Sequence, residues 1–204
     1  MADLGRTVLA RQRMARLWSL GDRKSPESMT PGLVIMDEDF DVDYAPFRIS
    51  SDSLIPRNVQ LESRAPFAPW ESIENGPILS ASIGHVLPPS LEEADAGEVA
   101  SKGDVISISW QSLNHDEELL DPKLKPHVVI LSDALQLANR PGKLVEAIQV
   151  IKLRFPGSLL WTPGIAGPDN CAVLAWFGVD LFDTTRVRQA ESHNAVITWS
   201  GPRL

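Results

Sequence analysis

Between Ser158 and Asp183 the chain carries two short apolar runs, Ser158–Thr162 and Val179–Phe182, separated by a helix-length segment from Pro168 to Phe177. Strands joined through a helical crossover are parallel neighbours, because the crossover returns the chain to the same end of the sheet. Pro168 suits the first turn of a helix, where its missing N–H costs nothing, and Gly178 suits the position just past a helix end. A parallel pair buried on both faces needs helices outside it, so this one unit points to an α/β protein. The second run ends on Asp183. In barrels of alternating strands and helices, catalytic groups stand at such strand ends.

The remaining chain extends the same alternation. Ile78–Ile83, Val105–Ser109 and Val128–Leu131 read as strands, Leu91–Ala100 as a helix and Glu117–Leu120 as a weak helical turn. Pro141–Phe155 reads as the clearest helix, with Leu144, Val145, Ile148, Ile151 and Phe155 at helical spacing on one face. Met14–Leu20 and Gly32–Met36 read as an N-terminal hairpin around the polar turn Gly21–Thr30. Residues 37–75 are rich in Asp and Pro and read as an irregular connection with one strand at Phe47–Ile49. Such a long connection suits a lid or packing against a partner. The expected fold is a partial or trimmed TIM-type (β/α) barrel of mostly parallel strands with an N-terminal β-hairpin. It forms one domain over residues 1–204, made of the hairpin (1–36), the connection (37–75) and the barrel-like part (76–204). At 204 residues the chain is short of the roughly 250 typical of a complete eightfold barrel.

Acidic residues outnumber basic ones 27 to 19, a formal charge of -8, which argues against coating nucleic acid through a broad basic face. Two local groups of arginines stand apart: Arg6, Arg11, Arg13 and Arg16 near the start, and Arg186, Arg188 and Arg203 near the end. Cys171 is the single cysteine, so no intramolecular disulfide and no cysteine-based zinc site is expected from this chain alone. A small buried thiol is its expected role. His115 and His193 have no ligand partner at a metal-binding spacing. No apolar run is of membrane-spanning length, and the Arg-studded start lacks the apolar core of a secretory signal. The expectation is therefore a cytoplasmic protein with no membrane partner.

The string Leu160-Trp161-Thr162-Pro163-Gly164-Ile165-Ala166-Gly167-Pro168-Asp169-Asn170, followed by Gly178-Val179-Asp180-Leu181-Phe182-Asp183, resembles the tRNA-guanine transglycosylase family and its archaeosine-pathway relatives. In that family a strand leads into a glycine-containing loop, a helix start at Pro-Asp or Pro-Glu, and then Gly-x-Asp-(Leu/Met)-Phe-Asp at the same spacing. The resemblance runs from about Val128 to the C-terminus. Ala15-Arg16-Leu17 with Thr30-Pro31, and Gly76 to Gly84, fit the family's opening hairpin and its Thr-Asp-Ser-Gly-Gly strand end more loosely. The resemblance implies that Asp183 is the nucleophile that attacks the anomeric carbon of a nucleotide. The tRNA would then be held as a glycosyl-enzyme while one base leaves and a 7-deazaguanine enters. Read from its own setting alone, Asp183 is better suited to capping the turn that follows.

The same resemblance implies what is missing. The family's second carboxylate falls on Ala81, and losing a positioned acid/base group costs about 10²- to 10⁴-fold in rate. His85 on the same loop is the nearest titratable candidate for that role. Ser82, Gly84 and Gly164 are the expected substrate-binding positions. Asp133, at a strand end on the same side as Asp183, either joins them or serves as an N-cap. The glycine pair lining the family's base pocket falls near Ser132-Asp133-Ala134-Leu135. The family's zinc region would begin beyond Leu204, so no metal or other cofactor is expected here.

Three readings follow. The first is a degenerate or accessory tRNA-binding module of archaeosine- or queuosine-type tRNA modification, with tRNA as partner and a partner subunit or second copy supplying missing parts. The second is an active transglycosylase using Asp183 as nucleophile on tRNA and a 7-deazaguanine-type base. The third is a protein-interaction domain of the same ancestry that binds no RNA. An RNA module should gather its arginines on one face beside Asp183, and scattered arginines favour the third.

Overall fold

The computed structural model describes residues 6–21, 26–35, 39, 42–49, 58–63, 78–82, 105–110, 113 and 123–203. An antiparallel sheet comes first, in the order β1 (Arg6–Gln12), β2 (Ala15–Gly21) and β3 (Pro26–Thr30). The main sheet follows. It contains β4 (Gly32–Ile35), β5 (Phe47–Ile49), β6 (Asn58–Ser63), β7 (Ile78–Ser82), β8 (Val105–Ile108), β9 (Val128–Leu131), β10 (Leu159–Trp161) and β11 (Leu181–Asp183). Helices α1 (Ala134–Ala138), α2 (Pro141–Arg154), α3 (Cys171–Phe177) and α4 (Thr185–Ser192) accompany its second half, and a small hairpin of β12 (Val196–Thr198) and β13 (Gly201–Arg203) closes the described chain.

The main sheet runs in the order β7-β6-β5-β4-β11-β10-β9-β8. Its six strands from β5 to β8 are mutually parallel, while β6 pairs antiparallel with β5 and β7 antiparallel with β6. The outermost strands, β7 and β8, approach each other, so the sheet curls into a half-barrel. Because β7 follows two antiparallel steps from β5, it runs in the same direction as the six parallel strands. All their carboxyl ends therefore face one side.

Burial on both sides of the parallel strands follows the period of two expected of a pleated sheet. Val128, Ile130, Leu159, Trp161 and Leu181 pack into the concave face with Val34, Phe47 and the hairpin residues Trp18 and Leu20. Val129, Leu131, Leu160 and Phe182 pack outward against Leu144, Ala147, Ile148 and Ile151 of α2 and Leu174 of α3. Each such side chain is worth about 1.5–3 kcal/mol on burial. The short strands are stable through this two-sided packing rather than through their own ladders.

Several elements differ from the sequence reading. The N-terminal hairpin pairs β1 with β2 across Arg13 and Met14, whereas Gly32–Ile35 leaves it to pair in parallel with β11. Short strands carry the same apolar pattern in a hairpin or a parallel sheet, so only the partner decides between them. Strand β6 lies within the stretch read as irregular. Helix α3 starts at Cys171 rather than Pro168. Asn170 explains the delay: its Oδ1 accepts from Gly167 N at 2.8 Å and its Nδ2 donates to Ile165 O at 2.9 Å, holding 165–170 as a turn before the helix. Gly178 ends α3 at φ 106, as expected of a left-handed cap. Cys171 is half-buried at the helix start rather than fully enclosed. The helix expected at 91–100 and the turn at 117–120 fall outside the described residues.

Candidate functional site

Asp183 is the last residue of β11 and shares the concave-facing parity of Leu181. It is only 5% exposed. Its Oδ2 accepts from Trp161 Nε1 at 2.9 Å and from Gly164 N at 3.0 Å, and its Oδ1 accepts from Thr185 N at 3.0 Å. Trp161, the end of the neighbouring strand β10, is fully buried with its indole on the same concave face. Gly164 adopts φ 76 in the loop after β10, a left-handed conformation that an L side chain rarely tolerates. The Thr185 N–H opens α4, one of the donors a helix start leaves without an internal partner. A carboxylate offers about four lone-pair sites, and three are committed here to the protein's own donors. Asp183 thus ties the ends of β10 and β11 to the start of α4.

The same carboxyl side of the sheet collects other polar groups. Asp133, 1% exposed after β9, accepts from Trp110 N at 3.0 Å and so links the ends of β9 and β8. It occupies the position before α1 without a side-chain capping bond. Asp39, beyond β4, accepts from Thr184 Oγ1 at 2.9 Å and from Arg188 Nη2 at 2.8 Å. Arg186 and Asp169 form a two-pronged pair at 2.7 and 2.8 Å. The Arg186 guanidinium holds the Asp169 carboxyl below its ordinary value. Ser82 ends β7 on this same side, with Ala81 immediately before it in register with Val59. Gly84 and His85 lie outside the described residues. The structure therefore brings Asp183, Gly164 and Asp133 to one side of the sheet, with Ser82 at a strand end on that side.

The opposite end of the strands is built around Asp180, 1% exposed at the entry to β11. Its Oδ2 accepts from Leu160 N at 2.8 Å, from Lys152 Nζ and from Arg16 Nη2, the last at 3.4 Å. Arg16 also donates to Pro156 O, to Ser158 O at 2.9 Å, and stacks 4.7 Å from the Trp18 ring centroid. Burial is the first cause that brings the Lys152 ammonium from 10.5 down to about 8, with Arg16 and Arg11 adding repulsion and Asp180 opposing them. Sequence reasoning missed this group. Its signal was Lys152 itself, one turn beyond Ile148 on the buried stripe of α2, where a charge requires a partner.

The arginines fall into two groups. Arg186 and Arg188 stand beside the carboxyl ends and are paired with aspartates, while Arg6, Arg11, Arg13 and Arg16 sit on the hairpin sheet at the amino ends. They do not converge beside Asp183. Among the described residues no cluster of three or more His, Cys, Asp or Glu side chains is arranged to hold a metal ion, and no helix is long and apolar enough to cross a membrane.

No family model matches the chain. A curated relative does: archaeosine synthase subunit alpha of Methanosarcina acetivorans is 32% identical over 78 residues, which is 38% of this chain. The match spans only 12% of that relative's length. The chain is thus distantly related to an archaeosine synthase subunit.

Proposed function

We propose that this chain is a degenerate or accessory tRNA-binding module of archaeosine-type tRNA modification that does not itself exchange bases. The observation that carries this reading is the state of Asp183. Its carboxylate is buried and engaged by Trp161, Gly164 and Thr185, so attack on an anomeric carbon requires it to give up bonds that hold β10, β11 and α4 together. Ala81 stands where the resembling family has its second carboxylate, which leaves that position without a proton to transfer. The relation to archaeosine synthase subunit alpha supports the tRNA-modification context. Incubation with tRNA and labelled guanine is the test. No exchange, with tRNA binding that weakens as salt rises, is the expected result. Exchange by the native protein that disappears in Asp183→Asn overturns it in favour of an active transglycosylase.

The separation of the arginines into two groups favours a second reading, a protein-interaction domain of the same ancestry. Absence of any salt-dependent tRNA binding decides for it.

A further inference from the structure

We propose that the cleft between the β1–β2 turn and the carboxyl end of α2 is a binding site for a phosphate group. The cleft encloses about 140 Å³ and is lined by Arg11, Met14, Arg16, Lys152, Leu153 and Pro156. That is about the volume of four or five waters. Among the described residues that line it, three of six are cationic and none is acidic. Their one paired carboxylate, Asp180, lies behind Lys152 and Arg16 and does not line the cleft. A surplus of two positive charges therefore faces the cavity in a chain whose overall charge is -8.

The donors are as uneven as the charge. Arg16 Nε is buried without a hydrogen-bond partner among the described residues. Arg11 is exposed and donates through Nε to Arg13 O at 2.9 Å, which leaves its two terminal nitrogens without a partner among the described residues. Repulsion from Arg16 and Arg11 adds to the burial that makes the Lys152 charge costly, and an anion in the cleft relieves both. Guanidinium groups engage phosphate oxygens in pairs of hydrogen bonds, while an ammonium acts as a point charge, so two arginines and a lysine suit a phosphate's oxygens. An open groove of about 450 Å³ shares Arg11 and Arg16 with the cleft and runs along β1 and β2. It leaves room for the rest of a phosphorylated molecule. The site lies at the opposite end of the strands from Asp183 and is independent of any chemistry there.

The test is titration of the full chain with inorganic phosphate, followed by calorimetry and thermal unfolding, against sodium chloride at matched ionic strength. Saturable phosphate binding that raises the melting temperature is expected, with at least a tenfold loss of affinity in Arg11→Gln. Arg11 is exposed, so that variant keeps its core, and unfolding of the ligand-free protein verifies this. A phosphate effect no greater than that of chloride overturns the proposal, as does unchanged affinity in Arg11→Gln. Competition arms identify the source. If tRNA displaces phosphate and Arg11→Gln weakens both, the group belongs to an RNA backbone. If a nucleoside monophosphate displaces it and tRNA does not, the site takes a small phosphorylated ligand. The second outcome upholds the phosphate site while removing support for a tRNA module, so the two proposals fail separately.

Discussion

Asp180 and Asp183 are three residues apart at the two ends of one strand, and both are buried, yet the protein satisfies them in opposite ways. Asp180 is met by two cations, Arg16 from the hairpin and Lys152 from α2, together with one backbone N–H. Asp183 is met by an indole N–H and two backbone N–H groups, and among the described residues no cation pairs with it. Strand parity contributes to the difference. Asp180 shares the outward parity of Phe182, toward the helix layer that carries Lys152, whereas Asp183 shares the concave parity of Leu181 and Trp161. The Asp180 group draws on partners up to 164 residues away, the Asp183 group on partners within 22. The first fastens the hairpin sheet to the half-barrel; the second is a local fastening of two strand ends and a helix start.

The largest effect is expected at Asp180. Asp180→Asn leaves Lys152 and Arg16 buried without their counter-charge and should destabilise the protein by about 3–5 kcal/mol, measured by urea unfolding. A cost no greater than that of a surface substitution breaks the comparison.

The titration of Lys152 comes next. Its ammonium is held near 8 in the folded protein against 10.5 when unfolded, so between these values the unfolded chain binds the extra proton. Stability contributed through this group therefore rises with pH across that window, by about 2–3 kcal/mol, and is flat below it. Unfolding free energies measured from pH 7 to 10.5 check this, and Lys152→Met should remove the rise. A fall in the native protein that Lys152→Met abolishes contradicts it.

A smaller effect is expected at the other end. Asp183→Ala leaves the Trp161, Gly164 and Thr185 donors without their acceptor and should cost about 2 kcal/mol, with Asp183→Asn recovering roughly half. Trp161 fluorescence in folded Asp183→Ala should shift as the indole loses its partner. If the variant is as stable as the native protein, the carboxylate does not fasten these strand ends to the helix. The smallest effect belongs to the partly exposed Arg186–Asp169 pair. Arg186→Lys gives up the two-pronged geometry and should cost about 0.5–1 kcal/mol, reduced by added salt.

Much of the parallel part was legible from residues. The strands at 128–131, 159–161 and 181–183, helix α2 and the cap at Gly178 all follow from apolar runs and their punctuation. What escaped was pairing. Gly32–Ile35 has the composition of a hairpin strand, and nothing within it says that its partner is β11 rather than β2. Gly32 itself is demanded by packing, since a Cβ there would meet Tyr44 O at 2.7 Å and Pro46 Cδ at 2.6 Å, a closeness that only the tertiary structure creates. At the candidate site, Asp183 and Gly164 were legible as positions but not as partners. Trp161 read only as part of a strand, and it is the pairing of β10 with β11 that brings its N–H to Asp183. Gly84 and His85, expected on the loop after β7, lie outside the described residues.

The sequence by itself determined the local grammar: where apolar runs alternate with a helix of fixed spacing, where glycine ends that helix, and that an aspartate follows the apolar run after it. These are short-range consequences of backbone sterics and periodic burial, complete within a few residues. Only the tertiary structure decided what each aspartate is for, because a buried carboxylate takes its role from the donors that surround it. Those donors come from β2, α2, β10, the loop after it and α4, and apart from the Thr185 N–H two residues on, packing brings them together.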